Sequence, residues 1–208
     1  GKLDLESPAR VDVPYLNQQL QSIIACEPTW MPRYHFPTTT RIDQDWQLTR
    51  KPGELLLLEG IHALNPDVIT IPEEMTVRIY VSVRTRVTNG ETVLHPSRLR
   101  LMRRMLRDKK FRQRSIAETL SMFEHVQAGE HKYIAPYKKR ASFSVDTFLP
   151  YELGIYKTLL DGELEAEMRH PMLRELQQMW DAVEPLTLEH VPADSLVREF
   201  AGDSAFQY

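Results

Sequence analysis

Residues 98 to 114 read "RLRLMRRMLRDKKFRQR", nine lysines or arginines against one acid, Asp108. At helical spacing Arg100, Arg103, Arg104 and Arg107 share a face, while Leu99, Met102, Met105 and Leu106 supply apolar anchorage. A run of charge is most often a solvated face. This one is dense and of a single sign, in a chain whose net charge is −3. Guanidinium forks fit phosphate oxygens, so a polyphosphate or a nucleic acid is the expected partner.

Glu59 is the second candidate. It ends "GELLLLEG", residues 53 to 60, in which four leucines run straight into a carboxylate. A continuously apolar run reads as a parallel strand covered on both faces. Ligands of α/β sheets sit outside the carboxyl ends of such strands. A carboxylate there can hold Mg2+ directly or through water, and the plain alternative is a partly solvated strand-end acid.

The third candidate is "PRYHFPTTTR", residues 32 to 41. Tyr34 and Phe36 suit stacking on a planar ring, and Thr39 and Arg41 suit bonding to its polar edges, although aromatics beside prolines also serve packing. His35 and His62 lack metal-ligand spacing, and no Cys/His cluster, G-x-S-x-G or HExxH occurs.

The elements that must position these groups alternate between strand and helix. Asp12 is placed to cap a helix from Val13, with apolar residues at Leu16, Leu20, Ile23 and Ile24. The proline-rich stretch that follows reads as irregular or extended, with a short hairpin-like strand near Trp46 to Leu48 and a turn at Pro52 and Gly53. "ELLLLEG" and "TVRIYVSV" are the clearest strands, joined by a segment long enough for a crossover with a short helix. Helices are expected from Pro96, from Ser115 (paired with Glu118 as a capping box), from Pro150 and over "HPMLRELQQMWDAV". "ASFSVDT" is a last strand. The fold class expected is α/β with a parallel sheet.

Composition narrows the function classes. Hydrophobic content of 42% and charged content of 26% over 208 residues suit one sizeable globular domain or a domain with an appendage. A single cysteine, Cys26, excludes an internal disulfide, and no apolar run is long enough to span a bilayer. With no signal-peptide pattern at its start, a cytoplasmic protein without a membrane partner is expected. The chain opens on glycine, which leads us to expect a piece of a longer chain.

Together these motifs resemble the uridine kinase and phosphoribulokinase group of P-loop kinases, closest to a bacterial branch of uridine kinase-like nucleoside kinases. "DLESPARVD", residues 4 to 12, is similar to the group's "DF-DHP-AFD", with Glu6 in the place of its nucleoside-contacting aspartate. "PRYHFPTTTR" resembles "P-YDF-(S/T)H-R", with Thr39 where many relatives carry histidine. "LLLLEGIHAL" resembles "VLFEGILAL", and "RLMRRMLRD" resembles the lid helix "RL-RR--RD". The later motifs "FRQRSIAETL", "GEHKYIAPY", "YELGIYK" and the C-terminal "VPADSLVREFAGDSAFQY" match the same branch, so the resemblance covers almost the whole chain.

The resemblance implies a P-loop NTPase-like parallel sheet with flanking helices, an arginine-rich helical lid and a C-terminal helical extension. Its implied limits are a partial kinase core over 1–160, with the lid at about 96–132, and the extension over 161–208. It implies ATP as co-substrate, Mg2+ associated with Glu59, and transfer of the γ-phosphoryl group to a nucleoside 5′-hydroxyl of the uridine or cytidine kind. Arg103, Arg104 and Arg107 would act with Glu59 in catalysis, Arg112 and Arg114 would add to the phosphate lid, and Glu6, Tyr34, Phe36, Thr39 and Arg41 would bind the acceptor. The G-x-x-x-x-G-K-[ST] phosphate loop is not found in these residues. The expectation is therefore that the first strand and P-loop lie upstream and that this stretch alone is inactive. Two alternatives stay open: a kinase of another small hydroxyl acceptor, as in phosphoribulokinase and pantothenate kinase relatives, or a non-catalytic nucleotide- or RNA-binding module. Nucleic acid is the less expected partner, and a homo-oligomer is compatible with the sequence.

Overall fold

The computed structural model describes all of the chain except residues 1–3, 5, 36, 37, 39, 207 and 208. It packs as two units, Gly1–Ile79 with Ala128–Phe143, and Tyr80–Gln127 with Ser144–Tyr208.

The first unit begins as its sequence dictates. The Asp12 carboxylate accepts from the Tyr15 amide and opens helix α1, Val13–Ile24. Leu20 and Ile23 are the buried positions of its apolar stripe. Asn17, also buried, donates to the Val68 carbonyl (2.8 Å) and accepts from the Thr70 amide (2.9 Å), fastening the helix to the 65–70 turn. At the other end Arg50 donates to the carbonyls of Ile23 and Ile24, in the last turn of the helix. The proline-rich stretch is more regular than its sequence reads. Strands β1, Thr29–His35, and β2, Thr40–Leu48, form one long antiparallel hairpin. Its register shifts between Met31 and Arg33, at Pro32, which has no N–H to give the ladder.

The leucine run departs from expectation. Residues 54–60 belong to no strand, and the leucines are uncovered: Leu55 is 99% and Leu57 90% exposed, against 43% for Leu56 and 39% for Leu58. That alternation of period two is the signature of an extended chain. Among the described residues no neighbouring strand supplies a ladder, so the segment is extended without being a strand. The crossover that follows holds turns and a single short 3-10 turn, Glu73–Met75.

Strand β3, Ile79–Ser82, and strand β6, Phe143–Asp146, form a parallel pair. The Ser142 amide donates to the Arg78 carbonyl and the Thr147 amide to the Ser82 carbonyl, so both strands advance together. Between them lie the hairpin of β4, Val87–Asn89, and β5, Thr92–Leu94, and then helices α2, Pro96–Arg112, and α3, Ile116–Tyr133. This is the parallel α/β arrangement read from the sequence. Asp146 closes the end of β6. Burial pushes its carboxyl up, but the Thr85 hydroxyl and the amides of Arg84 and Phe148 outweigh that and hold it below the usual carboxylate range. The capping box forms as expected: Ser115 Oγ accepts from the Glu118 amide, and Glu118 accepts from the Ser115 amide at 2.8 Å.

The second unit owns the large core. Leu99, Leu101, Met102 and Met105 of α2 meet Leu120 and Phe123 of α3 and the residues of α4, Glu152–Leu164, in one buried cluster. Pro150 precedes this helix by two residues instead of lying within its first turn. The expected helix at 170–183 is broken into a 3-10 turn Pro171–Leu173, the short α5, Arg174–Met179, and a second 3-10 turn Trp180–Ala182. A last short helix, α6, Leu196–Ala201, packs on α2.

Gly154 shows how tightly α4 is seated. A Cβ there would meet the Glu184 carbonyl oxygen at 2.6 Å and Leu186 Cγ at 2.8 Å. Gly-to-Ala in a helix interior ordinarily gains up to about 1 kcal/mol. Here Gly154→Ala is expected to lose about 1–3 kcal/mol by overpacking. A thermal melt reads the sign, and a raised Tm would refute the close approach.

Candidate functional site

Asp108 is the centre of the basic helix. It is completely buried, and three guanidinium groups converge on it. Arg112 Nη1 donates to Oδ1 at 2.7 Å, while Arg104 Nε and Arg114 Nη1 each lie 3.6 Å from Oδ2. Arg104 and Arg112 stand four residues before and after Asp108 and so share its face. Arg114 lies past the helix end and returns by a different route. Gln113 adopts the left-handed conformation (φ 52°), and the amides of Gln113 and Arg114 both donate to the Asp108 carbonyl. Three cations around one anion leave local positive charge. The neighbouring lysines are committed elsewhere, Lys109 to Glu163 and Lys110 to the Ala201 carbonyl at the end of α6. Arg107 is partly buried, and its Nε makes no hydrogen bond among the described residues.

Arg103 faces the other way. Its Nε donates to Glu152 Oε2 (2.7 Å), Nη2 to Glu152 Oε1 (3.0 Å) and the Thr147 carbonyl (2.6 Å), and Nη1 to Thr147 Oγ1 (3.0 Å). Glu152 has no solvent exposure and also accepts from Tyr156 Oη at 2.9 Å and from the Leu149 amide. Burial, and then the Glu152 carboxylate, push the Tyr156 phenol far above its usual range. For Arg103 the loss of solvent is outweighed by Glu152, which keeps the guanidinium charged. Arg103 thus spends its donors inside the core, pinning α2 to α4 and to the end of β6.

On the acceptor side, Tyr34 and Arg41 are register partners on β1 and β2, directly opposite one another. Arg41 bonds Asp12 and Asp43, each at 2.7 Å, and its guanidinium lies 4.4 Å from the centre of the Tyr15 ring. The Arg41 bond holds the Asp12 carboxyl below the usual carboxylate range. Glu6 rests on Gly129 of α3, where a Cβ would come within 2.4 Å of Glu6 Cβ. Tyr133, one turn on, donates to Asp4 at 2.9 Å. Helix α3 therefore seats Asp4 and Glu6, and α1 with its cap seats Arg41. Phe36 and Thr39 lie outside the described residues.

Glu59 ends the extended leucine segment instead of a paired strand. It is exposed, and its carboxylate makes no hydrogen bond or ion pair among the described residues. Those residues contain no group of three His, Cys, Asp or Glu placed to hold a metal. Mg2+ usually takes one or two carboxylates together with substrate phosphates and water. A single uncommitted carboxylate fits that mode and does not fit a protein cage.

Tyr34 and Arg41, read from one motif, stand opposite each other in the hairpin, while what holds the arginines is not evident from the sequence. Asp108 stands out only as the one acid in a basic run, although its four-residue spacing to Arg104 and Arg112 is legible. Asp12 reads as a helix cap, which it is, and its second task of holding Arg41 carries no local signal. No helix is long and apolar enough to cross a membrane among the described residues.

Comparison with known proteins gives these features a family. The sequence model of the Phosphoribulokinase / Uridine kinase family matches residues 2–149. A uridine kinase from Lactobacillus helveticus is 27% identical over 146 residues, which are 69% of this chain and 61% of the relative. One from Bacillus licheniformis is 28% identical over 141 residues, 67% and 59% of the two chains. One from Staphylococcus carnosus is 29% identical over 161 residues, 77% and 67%. The chain spans about three-fifths of the length of the first two relatives.

Proposed function

Because the chain belongs to the Phosphoribulokinase / Uridine kinase family, we propose that it is part of an ATP-dependent kinase acting on a nucleoside 5′-hydroxyl of the uridine or cytidine kind. The observation that carries this is the gathering of Arg104, Arg112 and Arg114 on one buried carboxylate. Phosphoryl transfer is chiefly a task of positioning and of offsetting charge on the transferring group, and a fixed guanidinium array does both. We assign phosphate binding to Arg104, Arg107, Arg112 and Arg114. Arg103, anchored to Glu152, acts on them through the helix it holds. Tyr34 and Arg41, with Glu6, Phe36 and Thr39, are assigned to the acceptor. Glu59 would hold Mg2+, which when bound supplies positive charge to the nucleotide phosphates. In this reading residues 1–160 serve as kinase core, with the lid at about 96–132, and 161–208 as a helical extension.

The test is an acceptor panel with the protein as encoded, including whatever residues flank these 208. Uridine and cytidine should be phosphorylated with kcat/KM at least about tenfold above pantothenate or ribulose 5-phosphate, about 1.4 kcal/mol of discrimination. A preference for either of the latter would transfer the chemistry to another acceptor. The density of arginine on α2 favours one further reading, a non-catalytic module that binds RNA or nucleotide.

A further inference from the structure

We propose that Asp108 is a positioning residue that sets the geometry of the phosphate-binding arginines. The inference rests on the kinase reading above and adds to it a residue that touches no substrate. A solvated arginine samples many rotamers, and fixing several on one ligand costs side-chain entropy for each. Asp108 reduces that cost before the ligand arrives. Its carboxylate is wholly buried, so the groups it attracts converge on one fixed point. Its two oxygens divide the work: Oδ1 holds Arg112 by a hydrogen bond of 2.7 Å, and Oδ2 faces Arg104 Nε and Arg114 Nη1 at 3.6 Å each.

Oδ2 is buried and accepts no hydrogen bond among the described residues. Arg104 and Arg114 are therefore drawn to it by charge across 3.6 Å. Catalytic hydrogen bonds are often long before substrate arrives and tighten afterwards. The αL turn at Gln113 completes the device, because it returns Arg114 to the same carboxylate from beyond the helix. One carboxylate against three guanidinium groups orders the array without neutralising it.

The proposal makes a prediction opposite in sign to simple electrostatics. Removing a negative charge beside a cationic site should strengthen anion binding by Coulomb's law alone. If Asp108 positions the arginines, Asp108→Asn should weaken it. The measurement is calorimetric titration of the protein as encoded, including whatever residues flank these 208, with inorganic tripolyphosphate at low ionic strength and inorganic phosphate as control. The expected result is about a tenfold loss of tripolyphosphate affinity in the folded variant, with little change for phosphate. Unchanged or tighter binding by folded Asp108→Asn overturns the proposal, whatever the variant's Tm, since a purely structural carboxylate would alter stability alone.

Should Asp108→Asn fail to fold, Arg112→Gln and Arg114→Gln carry the test, because both side chains reach the surface. Members of one array should be non-additive when removed together, whereas independent charges add to within about twofold in affinity. Additivity overturns the proposal. Wild-type protein as encoded that binds tripolyphosphate no better than phosphate removes the kinase reading and this inference with it. A wild type that binds, beside variants that follow Coulomb's law, removes only the inference.

Discussion

Replacing Glu152 by alanine is expected to destabilise the fold by about 3–5 kcal/mol, the usual loss when one partner of a buried ion pair is removed. The carboxylate has no exposure and accepts from Arg103 twice, from Tyr156 and from the Leu149 amide. Without it, Arg103 keeps only Thr147 as acceptor among the described residues. An arginine cannot shed its proton to escape, so an uncompensated charge stays in the core. The reverse change, Arg103→Ala, leaves Glu152 with two neutral donors and the option of protonation, and should cost less. Replacing both together with leucine at 152 and methionine at 103 should recover much of the loss, since apolar side chains fill the same space without a desolvated charge. Urea unfolding of the three variants checks the order. A Glu152→Ala midpoint indistinguishable from wild type would show that the pair is not a pin.

The same pair shows what the sequence can and cannot disclose. Arg103 and Arg104 are adjacent in a uniformly basic helix, and nothing in their identity separates them. Their environments do: one meets Glu152, forty-nine residues on, and the other meets Asp108, one turn away. Local signals are legible wherever both partners are close in sequence. The Asp12 cap and the Ser115–Glu118 box form as read, because side chain and amide lie within three residues of each other.

Signals that depend on neighbours are not legible. Four leucines describe a segment suited to cover on both faces. They cannot say whether a ladder partner is present, and among the described residues the segment stays extended and uncovered. The hairpin of Thr29–Leu48 departs in the other direction. Its prolines argue against pairing, yet Pro32 sits at the register shift, where a strand can forgo an N–H. Tyr34 and Arg41, seven residues apart in sequence, become neighbours only through that hairpin.

The kinase and the RNA-binding readings part on Arg104→Ala. Arg104 stands at the Asp108 array, partly exposed, on the face expected to meet phosphates. If it touches charge that shifts during transfer, its removal should appear in the rate of the chemical step and leave nucleoside affinity nearly intact. Removing one such donor from a preorganised site commonly lowers kcat by about a hundredfold or more. The assay is steady-state and single-turnover phosphorylation of uridine by the protein as encoded, with KM for uridine measured in parallel. The RNA reading gives the opposite pair of results. Turnover would be untouched, and binding of a single-stranded RNA would weaken almost uniformly across sequences. The slope of log affinity against log salt would then fall by roughly one unit, because one RNA phosphate would no longer be neutralised by the protein. Both outcomes come from one substitution of a half-buried side chain that leaves the Arg103–Glu152 pin in place. A hundredfold loss of kcat with an unchanged RNA salt slope supports the lid, because only a group aimed at the transferring phosphoryl would separate rate from affinity in that way.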